Sequence, residues 1–111
     1  MIGHIAIPIL QGPKLKCDIP KGAVFLSVLP IGNQPHMAFL ADDEAEMEDR
    51  HFINLPLIGG CLDADVSIDE VQYLGSFPIF IKPRLVGQQP QVMTHILYEV
   101  IKPISKIALM Q

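Results

Sequence analysis

Ten prolines are scattered through the 111 residues of this chain, at 8, 13, 20, 30, 35, 56, 78, 83, 90 and 103, and eight glycines lie among them. A proline inside a helix removes a backbone donor and costs about 3 kcal/mol, so this spacing argues against a helical bundle. Between the prolines the apolar residues alternate with period two. Ile5, Ile7 and Ile9 share one face opposite His4, Ala6 and Pro8. Leu15, Cys17 and Ile19 do the same against Lys14, Lys16 and Asp18. Alternation of this kind is the signature of strands with one buried face.

The pattern continues along the chain. Ala23 to Leu29 is nearly continuous apolar sequence, as expected of a strand covered on both sides. Pro30 to Pro35 is turn chemistry, and Met37 to Ala41 reads as the return strand of a hairpin. Asp42 to Arg50 reads as a polar loop or short helical turn. A strand resumes at His51 to Ile58, where Pro56 predicts either an edge position or a break. Val71 to Phe80 is a further strand, with Val71, Tyr73 and Phe77 on one face, and Gly75 within it predicts a bulge or a close backbone approach. Lys82 to Gln91 is a loop. In Val92 to Val100, Met93, His95, Leu97 and Glu99 line one face. The tail from Ile101 to Gln111 fits a last strand or a helical turn equally well.

The expected fold is therefore all-β, an antiparallel sandwich or small barrel of about seven short strands, with residues 1–111 as a single domain. Half of the chain is hydrophobic and 18% is charged, which excludes a disordered chain. Met1 to Leu10 has no basic start and is interrupted by Pro8, so it does not read as a secretory signal. The uncharged run from Gly22 to Ala41 holds Pro30, Gly32 and Pro35 at its middle, which suits two strands and a turn better than a membrane span. A cytoplasmic protein with no membrane partner follows, with Cys17 and Cys61 as free thiols.

Ten of the twelve acids lie between Asp42 and Glu70, where Arg50 is the only base, so that window carries −9. Two acids against seven bases leave the remainder at +5. Direct binding of nucleic acid is disfavoured, because the bases are too scattered to line a phosphate groove. On charge alone the window reads as a solvated loop that keeps an apolar domain soluble. In a functional reading, Asp42, Asp43, Glu44, Glu46, Glu48 and Asp49 form an acidic surface that steers a basic partner protein.

Catalytic and metal motifs are weak. Asp63, Asp65 and Ser67 begin like a calcium loop, but Ile68 and Leu74 stand where glycine and a bidentate glutamate are required. His4, His36, His51 and His95 are too widely spaced for a local zinc motif. A Cys61 nucleophile with His95 as its base, or a cation held by Asp63 and Asp65, has no local support. The expectation is a protein that is not an enzyme and carries no cofactor.

Several fragments together carry a resemblance. They are Ile19-Pro20-Lys21-Gly22-Ala23, Leu26-Ser27-Val28, Met37 to Asp42, Arg50-His51-Phe52, Tyr73-Leu74-Gly75-Ser76-Phe77 and His95 to Val100. In order and spacing the chain resembles a family of small, uncharacterised domains of bacteriophages and prophages, over about Ile5 to Val100. It departs from the family in carrying Phe39 where tryptophan is frequent, Ser76 where threonine is usual, and Leu57-Ile58-Gly59-Gly60-Cys61 where a glycine–threonine–glycine–histidine turn is common. The resemblance implies a phage-type source and a small β domain that binds rather than catalyses. Two readings remain. The first is a protein that binds a basic host or phage protein, such as a defence component, through the acidic window. The second is a homo-oligomer that sequesters a nucleotide-like ligand between subunits through Lys82, Arg84 and His95, a reading favoured by the apolar surplus of so short a chain.

Overall fold

The structure is a computed structural model and describes residues 1–81 and 83–101. Among the described residues the strands run in the order β1 (Ile2–Pro8), β2 (Lys14–Pro20), β3 (Val24–Ile31), β4 (Gln34–Asp42), β5 (Met47–Pro56), β6 (Val71–Ile81) and β7 (Gln91–Val100), seven in all, with a 3-10 turn at Ile68–Glu70. No α-helix occurs among the described residues. The strands form two antiparallel sheets, a small one ordered β1-β4-β3 and a larger one ordered β2-β5-β7-β6. The fold is the expected all-β sandwich.

The alternation in sequence becomes inside and outside. In the small sheet Ile5 and Phe25 lie opposite Phe39 from either side, and Ile7 and Val28 lie opposite Met37. In the larger sheet Leu15 faces Phe52, Asn54 faces Leu97, and Phe77 faces His95. These inward rows meet in a core of Ile9, Ile19, Ala23, Met37, Phe39, Ala41, Phe52, Phe77 and Leu97. Each large side chain buried there contributes about 1.5–3 kcal/mol.

Two turns set the geometry of the ends. Ala23 N–H donates to the Pro20 carbonyl at 3.1 Å, with Gly22 at φ +81°, the positive φ that the tight passage into β3 requires. Ile31 pairs with Gln34 across a two-residue turn whose first member, Gly32, has φ +63°. A positive φ there with none at Asn33 makes this a type II′ hairpin, whose twist matches that of the flanking strands.

Three expectations are refined or corrected. Met47 to Arg50 is the beginning of β5, so only Asp43 to Glu46 connects β4 to it. Pro56 ends β5, which lies between β2 and β7, so proline acts here as a break and not as an edge marker. Tyr73 and Phe77 do not share a face. The β6–β7 register slips between Tyr73 and Gly75, which turns Tyr73 outward at 59% exposure while Phe77 enters the core. At Gly75 a Cβ would stand 3.3 Å from Val28 Cγ2, so this glycine marks both a bulge and a close approach of the sheets. The tail beyond Ile101, expected as a strand or a helical turn, lies outside the described residues.

Candidate functional site

Inward positions of β5 and β7 carry polar groups as well as core residues. At one end of the sandwich Arg50 donates to Glu99 through two parallel bonds, Nε to Oε2 at 2.5 Å and Nη2 to Oε1 at 2.7 Å. Its Nη1 donates to the Ala23 carbonyl at 2.7 Å. The guanidinium also lies 5.2 Å from the centre of the Phe39 ring and 6.0 Å from that of Phe52. The bonded Glu99 carboxylate holds the Arg50 guanidinium above its usual pKa against the opposing pull of burial. Three of the five guanidinium donors and both carboxylate oxygens are engaged within the protein, and both side chains are largely buried, so the pair is a structural clasp. Sequence reasoning named neither residue as a site. The signal was present, because alternation puts Glu99 on the face of Leu97.

The acidic window is divided by the fold. Asp42 closes β4, and its Oδ1 accepts the Glu44 N–H at 3.1 Å. The Met1 amino group stands 2.8 Å from Asp43, 3.3 Å from Asp42 and 3.8 Å from Glu44. The Glu44 N–H, and then the amino group, hold the Asp42 carboxyl below its ordinary value. Glu46 is exposed in the turn. Glu48 lies across from Ile19 on the inward side, and its charge reaches Arg50. Asp49 points outward opposite Asp18 and accepts from Lys16 at 3.3 Å. The facing Asp49 carboxylate raises Asp18, while the hydrogen bond from Asp18 and then Lys16 lower Asp49. Asp42, Asp43 and Glu44 thus form one acidic corner, and the other three members belong to different surroundings.

That corner borders an unusual surface. The outer side of the small sheet carries His4 opposite Leu40, Ala6 opposite Ala38 and Pro8 opposite His36, with Val24, Ser27 and Leu29 completing the rows. Val24 is 56% exposed and Leu40 37%. No lysine, arginine or glutamate lies in these strands, and their one charged residue is Asp42, at the rim. The outer side of the larger sheet differs, since its β2–β5 half presents Lys14, Lys16, Asp18, Asp49 and His51.

At the opposite end, the mouth between the sheets is a cleft of about 610 Å³. Its walls are the β1–β2 link at Ile9 to Gln11, the hairpin at Asn33 to Pro35, Asn54, and Phe77 to Phe80. A hollow of about 290 Å³, bounded also by Val28 and Leu29, shares Asn33, Pro35, Phe77, Pro78 and Phe80 with it. Behind the cleft His95 Nδ1 lies 2.8 Å from Asn54 Oδ1, and its ring centre lies 5.8 Å from that of Phe77. Burial pushes the His95 imidazole below its usual 6.5. The unfolded chain therefore takes up this proton first as pH falls, and stability drops from about pH 6.5 downward until the folded imidazole protonates too. Thermal melts between neutral pH and pH 5 are expected to show this loss, and His95→Gln to flatten it.

The residues proposed for a nucleotide are placed separately. Arg84 borders a hollow of about 390 Å³ in the β6–β7 connection with Gln88 to Gln91, and His95 does not line it. Lys82 lies outside the described residues. Both cysteines are free, Cys17 half-buried and Cys61 exposed. Desolvation, followed by the nearby Asp18, pushes the Cys17 thiol up, the reverse of an activated nucleophile. Asp63 accepts from Lys14 at 2.6 Å. Among the described residues no group of three or more His, Cys, Asp or Glu is placed to hold a metal ion, and no helix is long and apolar enough to cross a membrane.

No family model, no curated protein and no solved structure matches this chain. Its described residues form a seven-stranded two-sheet sandwich with an apolar outer face, an acidic corner and an open mouth.

Proposed function

We propose that this chain is a non-enzymatic binding protein of the bacteriophage type, acting in the bacterial cytoplasm on a host or phage protein such as a defence component. The observation that carries the proposal is the uncharged outer face of the β1-β4-β3 sheet, set directly beside the acidic corner of Asp42, Asp43 and Glu44. An apolar centre with a charged rim is the anatomy of a protein interface, and the rim's sign selects a basic surround on the partner. Two free thiols accord with a reducing compartment.

The test is capture from bacterial extract, followed by reconstitution of the complex from purified partners. Leu40→Lys places a charge on the central strand of the face, in the row next to the acidic corner, and is expected to weaken the complex by about thirtyfold or more, the size of an interface hot spot. Joint neutralisation by Asp42→Asn, Asp43→Asn and Glu44→Gln is expected to slow association and flatten its salt dependence. Affinity and salt dependence unchanged by both variants would refute the assignment.

A second reading, a homo-oligomer, draws on the same face, because a second copy would also cover its apolar rows. Light scattering coupled to chromatography separates the two. A dimer dispersed by Leu40→Lys supports self-association, and a monomer supports a partner of a different kind.

A further inference from the structure

We infer that the mouth of the sandwich is a binding site for an uncharged small ligand that joins an apolar or aromatic body to a carbonyl oxygen. This site is separate from the protein-binding face proposed above. It lies within one protomer and asks for no phosphate.

Three observations converge on it. The first is size and lining. A cleft of about 610 Å³ falls within the 300–1,000 Å³ range of small-molecule sites. Its apolar wall is formed by Ile9, Leu10, Phe77, Pro78 and Phe80, and Phe80 stands 70% exposed as an open aromatic surface. The second is charge. No lysine, arginine, aspartate or glutamate lines the cleft, so an ionised ligand would lose water there and find no counter-charge.

The third is Asn54, which is only 6% exposed and lines the same cleft. Its backbone N–H is spent on the Pro13 carbonyl at 2.9 Å. Its side-chain oxygen accepts from His95 Nδ1, which leaves imidazole Nε2 without the proton in the neutral ring. The Asn54 amide nitrogen has no protein partner among the described residues. Yet no buried side-chain nitrogen or oxygen there is left unsatisfied, so this nitrogen keeps its access at the surface. A donor on an otherwise buried side chain, fixed in orientation by a histidine behind it, is the element that would select a carbonyl oxygen. The neighbouring Gln34 is already engaged, its Nε2 donating to the Ile9 carbonyl at 3.4 Å, and so braces the rim of the cleft.

The experiment is a titration of the full-length, nitrogen-15-labelled protein with N-acetylphenylalaninamide, a neutral aromatic amide, observed by two-dimensional NMR. Adenosine monophosphate serves as the charged comparison. Saturable shifts of the Asn54 side-chain amide and of the Phe77 and Ile79 backbone amides are expected, with weaker or no response to the nucleotide. Asn54→Asp replaces the donor with a carboxylate and is expected to weaken binding by about tenfold or more. Phe80→Ala, at an exposed position that the core does not need, is expected to weaken it as well and keeps the test valid if Asn54→Asp fails to fold. Absence of saturable shifts at millimolar amide overturns the inference. So does tighter binding of the nucleotide, or an affinity indifferent to Phe80→Ala.

Discussion

Arg50→Ala is expected to lower the melting temperature by about 10–15 °C, which corresponds to about 3 kcal/mol for a chain of this length. The loss is large because the substitution strands a partner. Side chains of Arg50 and Glu99 are only 16% and 12% exposed. Without the guanidinium, the Glu99 carboxylate is left between the sheets with two acceptor oxygens and no donor in reach, and the Ala23 carbonyl loses the bond from Nη1. Glu99→Ala is expected to cost about as much for the converse reason. Arg50→Lys restores the charge but not the fork that bonds both oxygens at once, so it recovers only part of the loss. Joint replacement, Arg50→Met with Glu99→Leu, is expected to return close to the parent stability, because a buried ion pair gains little over a packed apolar pair. Urea or thermal unfolding of the parent and these four variants measures each cost. A single-alanine cost no larger than that of an exposed pair would show that the clasp is not desolvated as the geometry indicates.

That clasp also shows where the sequence stopped being readable. Strands β1, β2 and β4 are legible because their inward rows are apolar, β7 because apolar residues run through both of its rows, and turn chemistry places the Gly32-Asn33 hairpin and the positive φ of Gly22. The beginning of β5 is not legible, because its inward residues are Glu48 and Arg50. Alternation of hydrophobicity cannot report a strand whose buried positions are charged, and the charge that makes Arg50 acceptable inside comes from Glu99, 49 positions away. The shared face assigned to Tyr73 and Phe77 fails for a different reason. One extra residue at Leu74 inverts the alternation in the middle of β6, and Gly75 indicates that a bulge is near without giving its phase. Pairing is a third limit, since nothing local in β2 shows that it joins β5 and not β1. The mouth of the sandwich inherits these limits. Asn54 and His95 lie 41 residues apart and meet only because β5 and β7 are neighbours with Leu97 opposite Asn54. Of the candidate residues, His95 was singled out for an ionic role, and its place beside an aromatic ring and an amide suits a neutral one.

Phe39→Ala is expected to be the most damaging single substitution in the core, at about 4 kcal/mol. Phe39 is fully buried at the centre of β4. Its ring meets Phe25 edge-on, 5.6 Å between centres, and Phe52 of the facing sheet at 6.2 Å. The same ring lies beneath the Arg50 guanidinium, so it supports the clasp as well as the apolar core. Truncation therefore removes transfer energy, two aromatic contacts between and within sheets, and the surface on which the ion pair rests. A domain of this size has about 5–15 kcal/mol in total, so the variant is expected to unfold near physiological temperature. Phe39→Leu keeps most of the volume and is expected to cost about half as much, by forfeiting the ring contacts and leaving a smaller cavity. The decisive measurement is the coupling of Phe39→Leu with Arg50→Met/Glu99→Leu. If the ring acts partly through the guanidinium, the cost of Phe39→Leu falls by about 0.5–2 kcal/mol once the charges are gone. A cost that does not change would confine Phe39 to filling space between the sheets.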